Sequence, residues 1–162
     1  LNQLAMIEYI KERCFILGVV SLPSRTFYST PKKTYILALR RKPHQGQTQT
    51  DPVFTYLVSE IGESRDSRRV HLETNHMNGM EQEFAMFRAA PLRFKSSDDR
   101  CKILKWSDFD ALRNWLVDRN WTMQEKVALG IAQEPEELDG DAFRKLVRDA
   151  KDALDTLYKE LS

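Results

Sequence analysis

The chain has 162 residues, of which 41% are apolar and 30% charged, with a net charge of +1. That suffices for one packed core with a small appendage and excludes an intrinsically disordered chain. Balanced charge excludes a global field drawing the whole molecule onto nucleic acid or a membrane, so any electrostatic signal is local.

No stretch approaches the roughly 18 apolar residues of a membrane span. None has the anatomy of a signal peptide, so a cytoplasmic protein is expected. The first residue is Leu1 rather than Met, which reads as a processed or trimmed piece of something longer. Cys14 and Cys101 form no Cys-x-x-Cys pair and read as reduced thiols. His71 and His76 are five apart, not the spacing of a helical metal pair; with His44 they read as surface histidines, and no metal site is expected.

In chain order, Leu4, Ile7, Tyr9, Ile10 and Cys14 space a helix over residues 2–13. Residues 15–22, FILGVVSL, form a nearly continuous apolar run that Pro23 ends. Such a run predicts a strand buried on both faces, as in a parallel sheet. Residues 34–39, TYILAL, predict a second strand of the same kind, closed by Arg40, Arg41, Lys42 and Pro43. A polar loop over 42–51 precedes a third strand, VFTYLV at 53–58. Glu63 to Arg69 is a charged turn, and 80–89 a helix with Phe84 and Phe87 on one side.

Residues 91–100, with Pro91 and SSDDR, read as a linker. Beyond it, 101–106 predicts a short strand, and Ser107 the N-cap of a helix carrying Phe109, Leu112, Trp115 and Leu116. Thr122 with Glu125 is a capping box for another helix, running to about Gln133. The last helix opens at Gly140 or Asp141. Its Phe143, Val147, Ala150, Leu154, Leu157 and Leu161 form a heptad-like seam, read as packing on neighbouring helices ahead of a coiled coil.

The expected architecture is α/β, half of a sheet followed by a small helical tail. Residues 1–90 form the sheet part, 91–100 the linker and 101–162 the tail. Two or three buried strands make an uncomfortable sheet alone, so further strands from elsewhere are expected to cover them.

Charge is distributed unevenly. From Arg13 to Thr50 there are seven Lys/Arg and no Asp or Glu, while Glu134 to Glu160 holds nine acids against five bases. The first segment could be a solvated rim or a phosphate-facing edge. Phe27 and Tyr28, in the same loop as Lys32 and Lys33, favour the second, because aromatic faces beside cations hold unstacked bases. No Ser/His/Asp or paired-carboxylate arrangement stands out, so no catalytic residue is assigned.

Residues 16–42, ILGVVSLPSRTFYSTPKKTYILALRRK, resemble the second half of the catalytic domain of adenine-specific (N-6) DNA methyltransferases, with the modification subunits of type I restriction systems as nearest kin. In that family a strand ends in an "sLP" turn. Phe follows, then a loop, then a "vKTsIl-l" strand ending in basic residues; Leu22-Pro23, Phe27 and residues 33–37 stand in those places. PVFTYLVSEIGESRDSRR and MEQEFAMFRAA resemble the next elements, so the likeness covers roughly residues 1–90.

The resemblance implies a Rossmann-like sheet that binds S-adenosylmethionine and takes a flipped adenine from double-stranded DNA. It implies a target-base pocket at Phe27, Tyr28 and Pro23, and phosphate contacts at Arg25, Lys32, Lys33, Arg40 and Arg41. Two family motifs are missing here: a Gly-rich cofactor turn and Asn/Asp-Pro-Pro-Tyr/Phe. Asp51-Pro52-Val53-Phe54 lacks the second Pro and follows the Phe27 loop, so it reads as an ordinary turn. The expectation is a methyltransferase portion inactive alone. Cofactor and catalytic groups would come from the remainder of the methyltransferase, with a specificity or restriction subunit as a possible partner. The alternative is a non-enzymatic module whose tail, with Trp106, Trp115, Trp121 and the leucine seam, docks a DNA-associated partner.

Overall fold

The computed structural model describes residues 3–133 and 140–160. Leu1, Leu161 and the acidic stretch from Glu134 to Asp139 lie outside the described residues. The elements run α1 (Gln3–Arg13), β1 (Cys14–Ser21), β2 (Tyr35–Arg41), β3 (Val53–Leu57), β4 (Ile61–Glu63), β5 (His71–Asn75) and α2 (His76–Ala89). They continue with β6 (Cys101–Leu104), α3 (Trp106–Asp110), a 3-10 turn (Val117–Asn120), α4 (Met123–Ala128) and α5 (Gly140–Glu160).

Four strands form a mixed sheet in the order β2-β1-β3-β6, and β4-β5 form a separate hairpin. β1 pairs antiparallel with β2 and parallel with β3; β6 closes the other side antiparallel. Alternation along the strands divides the core between the two faces. One face packs Ile16, Val19 and Val53 against Ile7 of α1, Phe109, Trp115 and Val117. The other packs Val20, Phe54 and Tyr56 against Phe84 and Phe87 of α2.

Gly18 lies where β1 is closely approached by β3 and α2. A Cβ there would fall 3.1 Å from the Phe54 carbonyl oxygen and 3.2 Å from the Phe84 ring, so a side chain would press on both β3 and α2. A bulge at Leu17 interrupts the β1–β2 register. On the other side of β1, beyond the reach of β3, the buried Gln49 side chain replaces a strand. Its Oε1 accepts from Ile16 N–H and its Nε2 donates to Ile16 C=O, both at 2.8 Å.

Several expectations are corrected. The 34–39 run is an antiparallel edge strand, not a buried parallel one; Ile36 and Leu39 are 38% and 40% exposed. In the 91–100 segment Phe94 packs into the core, and the segment delivers β6 to β3. The chain forms two compact units, Leu1–Ala132 and Gln133–Ser162. Ser107 caps nothing: α3 has Lys105 at its N-cap and ends at Asp110, so Trp115 and Leu116 lie outside it. Trp115 and Trp121 are core residues, which removes them as docking anchors. The Thr122–Glu125 capping box is present, and Lys102 bonds Glu125 as well; hydrogen bonds from Lys102 and then Thr122 N–H hold that carboxyl down to about 2. His76 is half-buried, its Nδ1 accepting from Glu60 N–H at 3.1 Å. α5 forms as expected.

One polar cluster ties β2 to the 3-10 turn. Asp118 accepts from the Tyr35 hydroxyl at 2.6 Å and pairs with Lys33 at 3.2 Å. Burial raises the Asp118 carboxyl, but the Tyr35 bond and the Lys33 charge outweigh it and hold it below the usual carboxylate range.

Two outcomes are expected. Phe54→Ala, at a fully enclosed aromatic centre, should cost about 3–5 kcal/mol in chemical denaturation. The depressed Asp118 contributes stability that is complete above the ordinary aspartate value and is lost as pH falls through its own lower one. Asp118→Asn should therefore lose about 2 kcal/mol at neutral pH and show a flatter decline below pH ~4, read from melting temperature against pH.

Candidate nucleic-acid interface

β1 and β3 run parallel and in register, Ser21 opposite Leu57, so both chains leave the sheet at the same end. From β1 exits the loop 22–34; from β3 exits the segment leading into the β4–β5 hairpin. Residues from these two connections build the site.

The first loop is held from within. Thr26 Oγ1 donates to Pro23 C=O at 2.7 Å, and Thr30 N–H bonds Phe27 C=O at 3.2 Å. These bonds fix a turn that leaves Phe27 53% and Tyr28 78% exposed. The hairpin turn is organised by Asp66, which accepts from Ser64 Oγ at 2.8 Å, Arg68 N–H at 3.0 Å and Arg69 N–H at 3.2 Å. The Ser64 bond and then the Arg68 amide hold the Asp66 carboxyl below its ordinary value. Ser64 Oγ in turn accepts from Val70 N–H at 2.8 Å and closes the turn.

The turn meets the loop through one bond: Arg69 Nη2 donates to Arg25 C=O at 2.9 Å. Both arginines have left-handed backbones, Arg25 at φ 62° and Arg69 at φ 51°. Non-glycine residues adopt that region at a cost; Arg113 and Trp115 do so elsewhere in the chain.

Two adjacent cavities result. The outer one, about 260 Å³, is lined by Arg25, Phe27, Tyr28, Arg65 and Arg69 among others. The inner one, about 240 Å³, lies at the ends of β1 and β3, with Ser21, Pro23, Lys33, Ser59, Glu60 and Arg65 in its wall. Arg65 belongs to both and pairs with Glu60 at 3.5 Å. Ser59 Oγ accepts from Arg100 Nη1 at 3.0 Å and lies 3.2 Å from His76 Nδ1. Burial, then the Arg100 charge, lowers the His76 pKa, favouring the neutral ring that accepts at Nδ1.

The residues named from sequence therefore divide. Arg25, Phe27 and Tyr28 share the outer cavity; Pro23 and Lys33 line the inner one. Lys32 is exposed on the same loop, and Lys33 is already paired with Asp118. Arg40 and Arg41 do not join them. They pair with Phe15 and Cys14 at the far end of β1, roughly 20 Å away along a strand of this length. There Arg40 lies over the Phe15 ring and 3.8 Å from Asp51. Arg41 lines a separate open groove with Tyr9, Arg13 and Lys42.

Sequence reasoning missed Arg65 and Arg69, which it placed only in a charged turn. Three arginines within residues 65–69 was the available signal. It also missed Ser21, Ser59 and Glu60, for which no local signal existed.

Residues 3–119 match the family described as N-6 DNA Methylase. One chain of a solved structure concerning complex assembly and conformational transition of the type I R-M system is similar to this chain, with 15% identity and a TM-score of 0.52. That likeness covers 96% of this chain and 31% of the other, so this chain spans about a third of its length. No curated protein matches. With a mixed α/β fold and more than half of its residues matched by the family, the chain belongs to the N-6 DNA methylase family.

Proposed function

We propose that this chain is part of an adenine-specific DNA methyltransferase of a restriction–modification system, acting on double-stranded DNA in the cytoplasm. It would supply one wall of the target-base pocket and contacts to the DNA strand. The observation that carries this reading is the exposure of Phe27 and Tyr28 on a hydrogen-bonded turn rimmed by Arg25, Arg65 and Arg69. Water-exposed aromatics add little to folding, whereas beside guanidinium groups they stack unpaired bases and meet phosphate.

Methyl transfer would need S-adenosylmethionine, whose methyl group is the one delivered. The sequence has no Gly-x-Gly, and Gly18 sits in mid-strand against Phe54 and Phe84, which supports a cofactor turn contributed from elsewhere. Cofactor and adenine amino group would be held by the remainder of the methyltransferase, and this chain would not transfer methyl groups alone. The edge strand β2, with Ile36 and Leu39 uncovered, supports a neighbouring part of the sheet there.

A second role, docking a specificity or restriction subunit, is favoured by α5. This 21-residue helix exposes Phe143, Leu146, Val147, Leu154 and Leu157 along one stripe. An amphipathic helix of this kind lays its apolar face into a partner's groove.

In the complete methyltransferase, Phe27→Ala should weaken binding to DNA carrying an extrahelical target base by roughly tenfold, as expected for loss of about 1–3 kcal/mol of stacking. Melting temperature should not change. An unchanged affinity and methylation rate would take Phe27 out of the pocket, and methylation by the isolated chain would contradict the division of labour. Val147→Asp with Leu154→Asp should abolish co-elution with the system's purified specificity or restriction subunit, while DNA binding by the Phe27 loop persists.

A further inference from the structure

The inner cavity contains a group that folding does not explain. Ser21 is 1% exposed at the end of β1, and its Oγ has no hydrogen-bond partner among the described residues. A buried hydroxyl without a partner destabilises a fold, and alanine would fit the same place without that cost. Ser21 lines the cavity together with Ser24, Ser59, Lys33 and Arg65, giving three hydroxyls and two cations against one carboxylate, Glu60. The cavity opens at the carboxyl ends of two parallel strands, where α/β sheets hold their ligands.

We propose that this cavity is a phosphodiester subsite for one nucleotide of the DNA strand, with Ser21 and Arg65 as its principal contacts. The inference rests on the reading of the Phe27 loop as a DNA contact and extends it. Arg65 lies in the walls of both cavities. A base on Phe27 or Tyr28 in the outer cavity thus has its own backbone phosphate beside Arg65, over the inner one. Ser21 donates its orphan O–H to a phosphate oxygen, and Lys33, held by Asp118 in the same wall, adds charge. Hydroxyls and cations of this kind position a strand without reading its sequence, so the subsite tolerates any base. Arg65 would exchange its long contact with Glu60 for a stronger one with phosphate.

The test uses the full 162-residue chain, a short single-stranded oligodeoxynucleotide and, in parallel, inorganic phosphate. Amide chemical shifts in a nuclear magnetic resonance titration report even weak binding. The oligonucleotide should shift residues 21–33 and 58–66 together. Arg65→Gln should reduce the slope of log affinity against log salt by about 0.7. Ser21→Ala should bind several-fold more weakly and yet melt about 2–4 °C higher, the reverse of what a structural serine would do. Wild-type affinity in Ser21→Ala, or an unchanged slope in Arg65→Gln, overturns the subsite. If those results accompany shifts in the Phe27 loop, the DNA-contact reading survives alone; if the oligonucleotide shifts neither segment, both fail. Inorganic phosphate binding as tightly as the oligonucleotide would also overturn the proposal, since the site would then hold a free anion rather than a strand.

Discussion

The parallel pairing of β1 with β3 is the constraint on which the rest depends. Antiparallel neighbours send their exits to opposite ends; a parallel pair sends both to one. Ser21 opposite Leu57 therefore brings the 22–34 loop and the approach to the β4–β5 hairpin to the same end of the sheet. Parallel pairing requires the chain to travel back along the sheet before β3 begins. Here β2 makes that journey on the outer side of β1, and the following loop carries Gln49 into the gap that β3 is too short to fill. Without the two amide bonds of Gln49, the Ile16 backbone would be buried unpaired at a cost comparable to a lost hydrogen bond.

The two ends of the sheet differ in how far their polar groups are satisfied. At the far end, Arg40 lies over Phe15, Lys42 Nζ donates to Lys11 C=O, and Gln45 bonds Glu12. At the exit end lie left-handed Arg25 and Arg69, the exposed Phe27 and Tyr28, and the unpartnered Ser21 hydroxyl. Each departs from what folding alone prefers, as do the left-handed Arg113 and Trp115 elsewhere in the chain. Several such departures at one end of the sheet are what supports the proposed site there. Lys33 belongs to both regimes: Asp118 fixes its position while leaving it in the cavity wall.

Much of the element order was legible from local pattern. The runs at 15–22 and 53–58, the Phe84–Phe87 helix, the Thr122–Glu125 box and the helix from Gly140 all form. The failures share a cause. TYILAL is as apolar as a central strand, yet lies at the edge, because a run's hydrophobicity says nothing of how many neighbours it acquires. SSDDR has the composition of a linker, yet Asp98 accepts from Tyr56 and from Arg100 N–H and so anchors the approach to β6. The β4–β5 hairpin escaped notice because its strands are short and β5 is mostly exposed, leaving little alternation to detect.

By itself the amino-acid sequence determined the strand and helix segments, the aromatic loop after Pro23 and the likeness to the N-6 DNA methylases, since these depend on residues close together in the chain. Only the tertiary structure decided which cations share a site. Arg40 and Arg41, close to Lys33 in sequence, are carried to the opposite end by one extended strand, while Arg65 and Arg69, far away in sequence, are brought beside Phe27 by the parallel pair. Register and direction of pairing, rather than proximity along the chain, set that outcome, because an extended strand moves its ends apart by more than any side chain can reach back.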